Sequence, residues 1–219
     1  MKIKAKMGRT ARKTFRHGDL RRALLEAAVD LAREGGPEAV VLREATRRAG
    51  VVPNAAYRHF TNHGDLLRAV KAAALSSLAM AIEEELAAIP RSRRAADHAR
   101  AMLRAVGNGY LKFALTEKGL FRTTFLASQH GEGETDVANT GNSGLNPFQL
   151  LGSALDKMVE AGVLAKERRP GAEFLAWSAV HGMAFLAIEG PLQRVSAKEI
   201  QALTDRLLEM VERGMEMKR

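Results

Sequence analysis

The chain has 219 residues, 46% of them hydrophobic and 27% charged, an ordinary globular composition for one or two domains. It contains no cysteine, which excludes disulfide frameworks, thiolate metal sites and cysteine nucleophiles together and suits a reducing compartment. The formal charge of +9 is unevenly placed: residues 1 to 71 hold 16 Lys and Arg against 7 Asp and Glu, while residues 72 to 219 hold 18 against 18.

In chain order, the first feature is a basic arm, residues 1–15, rich in Lys2, Lys4, Lys6, Arg9, Arg12 and Lys13. No apolar run follows it, because Asp19, Arg21, Arg22 and Glu26 interrupt, so a secretory leader is not expected. Leu20, Ala23, Leu24, Ala27, Ala28 and Leu31 then recur at helical spacing until Gly35-Gly36-Pro37 stops them. A short second helix is expected from Leu42 to Ala49, a tight turn at Gly50, and a third helix from Pro53 to about Phe60. Thr61-Asn62 caps a long helix from His63 toward Ile89. Further helices are expected near 95–116, 120–127, 147–162, 170–189 and 197–214, and a glycine-rich polar loop over 128–146. Strand alternation is missing and strong helix formers dominate, so the fold class is all-α with about nine helices. The uncharged and predominantly apolar run Phe174 to Ile188 is fifteen residues, short of the roughly 18–20 that span a bilayer. A cytoplasmic protein without a membrane partner is expected.

Two helices, a glycine turn and a short third helix in a basic segment outline a helix-turn-helix reader of double-stranded DNA. The second helix crosses the duplex backbone and the third enters the major groove, so short side chains must meet base edges and longer polar ones the phosphates. The candidate DNA contacts are Arg43 and Arg47 on the second helix, then Pro53, Asn54, Ala55, Tyr57, Arg58 and His59 on the third, with His63 beyond it. Tyr57 and His59 can donate to phosphates, Asn54 can serve adenine, and Arg58 can serve the backbone or guanine.

Arg48-Ala49-Gly50-Val51, Tyr57-Arg58-His59-Phe60 and Leu66-Leu67 resemble, in order and spacing, the DNA-binding domain of the tetracycline-repressor (TetR) family. Trp177, His181 and Gly182, with Tyr110 to Leu115 and Leu120-Phe121-Arg122, are similar to a subgroup of that family marked by a tryptophan-histidine-glycine set in the carboxy-terminal domain. The resemblance implies a homodimeric transcriptional regulator, usually a repressor, released from its operator when a small molecule enters the larger domain. It also implies a division into a reading domain, 16–62, and a ligand-binding and dimerisation domain, 63–219. The chain departs from the family at Val41 and Val52, where Ser or Thr caps are common, at Thr46, where Ala is common, and at His63, where Lys is common.

In the larger domain, the apolar helix near 170–189 and the stripe Ile200, Leu203, Leu207 and Met210 would pair with their copies in a second subunit. A ligand cavity needs apolar walls with a few polar groups. Met102, Val106, Tyr110 and Phe113 on one segment and Phe121 and Phe125 on the next are candidates. So are Phe148, Leu151 and Leu155, with Trp177, Val180 and His181 on the penultimate helix. Asn108 and Gln129 are further polar candidates. No cofactor, metal or catalysis is expected: His130, Glu132, Glu134 and Asp136 read as a solvated acidic loop rather than an acid-base or metal cluster. The alternative to a regulator is a sequence-blind architectural DNA binder acting through the basic arm.

Overall fold

The structure is a computed structural model and describes residues 17–91, 94–125 and 139–216. The basic arm, Gln129 and the acidic residues of the glycine-rich loop lie outside them. Among the described residues there are nine α-helices and no strand. They are α1 (His17–Gly35), α2 (Leu42–Ala49), α3 (Pro53–Ala56), α4 (His63–Ala87), α5 (Ala95–Thr116), α6 (Lys118–Phe125), α7 (Pro147–Glu160), α8 (Ala172–Ile188) and α9 (Ala197–Glu216).

Local chemistry sets most of the ends. Gly36, at φ 74°, leads the chain out of α1 into a 3-10 turn over Pro37–Ala39, a left-handed conformation that a side chain would strain. Asn62 caps α4 by accepting from the Asp65 amide at 2.9 Å, and Asp65 accepts from the Thr61 amide at 3.0 Å. Asn146 and Gln149 form a reciprocal capping box at the start of α7, both bonds 2.9 Å. By contrast, Val41 and Val52 sit in the N-cap positions of α2 and α3 with extended backbones and no side-chain bond. The first amides of both helices therefore lack the hydroxyl acceptor that Ser or Thr would supply.

The third helix is shorter than its sequence suggests. Only Pro53–Ala56 is α-helical; the Ala56 carbonyl then accepts from both His59 and Phe60 at 2.9 Å, closing a tight turn that delivers Phe60 to the core.

One apolar core runs through the chain. Leu24, Ala28, Val40, Ala45, Ala56, Phe60, Leu66 and Val70 fill the reading end, and α4 carries the core onward through Leu78 and Ile82 to α5 and α7. Two close backbone approaches hold the body to this frame. A Cβ on Gly109 of α5 would lie 2.6 Å from the Ile82 Cα of α4, and one on Gly119 of α6 would collide with the Ala32 carbonyl oxygen of α1. The pair Arg33–Glu117, at 2.8 Å, lies beside the second approach. No helix among the described residues is long and apolar enough to cross a membrane.

The last two helices differ from the sequence expectation in orientation. α8 turns its small residues inward, with Ala172, Ala176, Val180 and Ala184 buried, and presents Phe174 and Leu175 to the outside at 59% and 68% exposure, along with Phe185 and Leu186. α9 buries Ile200, Thr204, Leu208, Glu212 and Met215. Ile200 therefore leaves the expected outer stripe for the core, because a period of 3.6 puts it in line with Thr204 and Leu208, while Leu203 and Met210 stay exposed.

Candidate functional site

At the reading end, α2 and α3 are joined through Gly50 at φ 72°, ψ 31°. Val51 donates to the Thr46 carbonyl at 3.0 Å, so the turn is closed by backbone bonds. Thr46 is buried, and its hydroxyl donates to the Arg43 carbonyl at 2.6 Å, so the extra polar atom is satisfied within α2. Ala56 and Phe60 anchor the third helix from beneath, and the Arg21 guanidinium lies 5.3 Å from the Phe60 ring centroid, a cation–π distance.

Above those anchors, Asn54, Tyr57 and Arg58 are exposed, and Ala55 and His59 half-buried. Pro53 opens α3, where its missing amide hydrogen costs nothing. His63 is exposed at the first position of α4, and Arg43 is exposed on α2. Arg47 is engaged: its guanidinium forks onto Glu44 at 2.8 and 2.5 Å. These hydrogen bonds lower the Glu44 carboxyl pKa and raise that of Arg47. Arg48 likewise forks onto Glu34, at 2.9 and 2.8 Å, tying α2 to α1. Neither Arg43 nor Arg58 forms an ion pair among the described residues, in contrast to Arg47 and Arg48.

The body encloses a second site, a cavity of about 490 Å³ between α4, α5, α7, α8 and α9. Of the twelve residues expected to line it, Val106, Tyr110, Phe125, Phe148, Leu151, Trp177 and Val180 do. Phe113, Phe121 and Leu155 are packed into the core, and Met102 packs against it without reaching the wall. His181 stands behind the wall, bonded to a residue on it; Asn108 faces a different surface depression beside Lys112 and Gln193. The structure adds Leu75, Leu78 and Ile82 of α4, whose i, i+3, i+7 spacing is visible in the sequence, and Arg104, Ala176, Leu208 and Val211.

Tyr110 organises this wall. Trp177 Nε1 donates to its hydroxyl at 3.2 Å, and the hydroxyl lies 2.8 Å from His181 Nδ1. The network closes when His181 carries its proton on Nε2, so that Tyr110 donates to Nδ1. Burial pushes the Tyr110 phenol well above its usual pKa and lowers that of the His181 imidazole, so both are neutral at physiological pH. Phe121, Phe125 and His181 stack around it, with ring centroids 5.0 to 5.5 Å apart. Farther along α4, the Glu83 carboxylate accepts from the Asn142 and Ser143 amides at 2.8 Å and the Ser143 hydroxyl at 2.6 Å. Burial works to raise the Glu83 pKa, but these bonds hold it below the usual value.

A tight glycine turn presenting an exposed third helix, set on a larger helical body with an internal cavity, defines a helix-turn-helix DNA-binding protein. A family model described as bacterial regulatory proteins of the tetR family matches residues 24–70, and one described as the tetracycline-repressor-like C-terminal domain matches residues 103–211. The chain belongs to the TetR family of transcription regulators. No match was found among curated protein sequences. The fold is similar to that of a Rhodococcus sp. RHA1 protein of unknown function, at 24% identity and TM-score 0.72, covering 94% of this chain and 100% of that one. It is also similar to a TetR variant from Acinetobacter baumannii AYE in complex with minocycline, at 18% identity and TM-score 0.59, covering 88% and 94%. A third similar structure is the TetR-family regulator PfmR of Thermus thermophilus, at 20% identity and TM-score 0.51, covering 85% and 97%.

Because the folded pKa of His181 lies below the ordinary 6.5, the unfolded chain binds this proton more readily. Its contribution to stability is full above pH 6.5 and is lost as pH falls toward the folded value. Urea unfolding at pH 7.5 and pH 5.5 should show a smaller loss on acidification in His181→Gln than in the parent; an unchanged loss contradicts this assignment.

Proposed function

We propose that this regulator binds operator DNA as a homodimer and acts as a repressor that a small-molecule effector releases. The observation that carries the reading is the juxtaposition of two sites on shared helices. α4 contributes Leu66 and Val70 to the core of the reading end and Leu75, Leu78 and Ile82 to the cavity wall. α6 abuts the α1 carbonyls at Gly119 and places Phe125 on that wall. A molecule that binds better to one arrangement of these helices than to another shifts the population of reading-end positions. Two readers must meet successive major grooves about 34 Å apart on one duplex, so a small displacement lowers affinity.

The exposed apolar face of α8 and α9 supports the homodimer. Phe185 and Leu186 of α8, with Leu203 and Met210 of α9, leave a patch that a second copy would cover. Gly182 lies in the same α8 face, and a Cβ there would meet nothing within 4 Å. A mid-helix glycine costs about 1 kcal/mol relative to alanine, and close approach of the partner's α8 accounts for it. Gly182→Leu should therefore give a monomer in sedimentation with helical content unchanged; a persistent dimer contradicts the crossing.

In this reading Tyr57 and His59 hold phosphates, and Asn54 and Arg58 read bases, with Arg43 and Arg47 supporting from α2. Arg47 must exchange Glu44 for a phosphate to do so. Tyr57→Phe and His59→Ala should weaken binding to every sequence, whereas Asn54→Ala and Arg58→Ala should each cost about 1–3 kcal/mol at one base position and relax preference there. Binding to selected fragments under excess random DNA measures both. Loss of all preference under competitor would favour the sequence-blind alternative, and four variants that merely unfold would overturn the assigned roles.

A further inference from the structure

The buried polar groups around the cavity already have partners, and this limits what can enter. Tyr110 accepts from Trp177 and bonds His181. Arg104, the one charged side chain on the wall among the described residues, is bonded through Nε to the buried carboxylate of Glu212. Asn146 and Gln149 spend their side-chain oxygens on each other's amides in the capping box. Among the described residues, no buried side-chain nitrogen or oxygen lacks a hydrogen-bond partner. No buried side chain in the described wall waits for a ligand to satisfy it.

Charge is disfavoured from both directions. Among the described residues no Asp or Glu lines the cavity, so an ammonium ligand would find no carboxylate in that wall to pair with. A carboxylate would meet one cation, Arg104, whose charge Glu212 already balances, so it would enter the apolar space without a counter-charge of its own. What remains is apolar: Leu75, Leu78, Val106, Phe125, Leu151 and Val180. A cavity of ~150 Å³ with such walls takes one benzene; about 490 Å³ is room for roughly three ring-sized units.

We propose that the cavity binds an uncharged, predominantly apolar molecule of two to three ring-sized units, held by shape and dispersion, with at most a neutral oxygen facing the side-chain NH2 groups of Asn146 and Gln149. This rests on the reading of the cavity as the effector site and narrows it to a chemical class.

Two dyes sharing one scaffold test it on the full-length protein. N-phenyl-1-naphthylamine is neutral at pH 7.5, and 1-anilinonaphthalene-8-sulfonate carries one negative charge. Fluorescence titration should give one neutral dye per chain, bound at least tenfold more tightly than the sulfonate. Ala176→Phe and Leu75→Trp, which fill the cavity from α8 and α4, should each weaken it at least tenfold with circular dichroism retained. Equal or tighter sulfonate binding that Arg104→Gln weakens overturns the proposed class, as does neutral-dye binding that both filled variants leave unchanged, or no dye bound at all. Operator affinity measured in the same titrations separates the two readings. Neutral dye in the cavity without any change in DNA affinity upholds the class and contradicts the effector role. Sulfonate in the cavity with loss of DNA binding does the reverse.

Discussion

The contact at Gly119 governs how the two ends of this protein relate. There the amino-terminal turn of α6 presses on the last carbonyls of α1 so closely that no side chain fits between them. Backbone against backbone transmits displacement where a layer of flexible side chains would absorb it, because packed interiors are dense and do not deform continuously. α4 makes the second link by running without a break from the core of the reading end to the cavity wall. The reading end is thus held by two helices whose far portions line an internal space.

Electrostatics at the reading end is more selective than the net charge suggests. Within residues 17–71, Arg22, Arg33, Arg47, Arg48 and Arg68 are each paired with a carboxylate, so most of the arginines of this segment are locally neutralised. Paired surface cations add little long-range field. What faces outward on the α2–α3 surface is a small set: Arg43 and Arg58, with the polar tips of Asn54 and Tyr57. Such a surface suits directed contacts to phosphates and base edges more than diffuse attraction.

Much of this was legible in the residues. Gly50, Asn62 and the Asn146–Gln149 pair mark helix ends through conformations and bonds that few other residues supply, and α2 and α5 span the stretches their periodicity predicts. The third helix ends before the sequence predicts: Tyr57 keeps right-handed backbone angles, but the Ala56 carbonyl is shared by the His59 and Phe60 amides as the chain turns. The cavity was half legible for a different reason. Helical spacing says which side chains point inward, not which of them meet empty space. Phe113, Phe121 and Leu155 point inward and are fully packed, while Leu75 and Leu78 of α4 border the space. The orientation of α9 depends on burying Glu212 against Arg104, a pairing across more than a hundred residues that no local pattern contains.

The account stands on two copies of α3 reaching one duplex together, and the distance between them reports on that directly. The chain has no cysteine, so Thr61→Cys, at the exposed exit of the reading turn, offers a single attachment point for a spin label. Pulsed dipolar spectroscopy on the full-length protein bound to its selected operator should give one narrow distance that, corrected for the offset of position 61 and its label from α3, sets the two α3 copies ~34–36 Å apart, the spacing of successive major grooves. Absence of a dipolar signal, or a distance unrelated to that spacing on the bound duplex, would contradict the account.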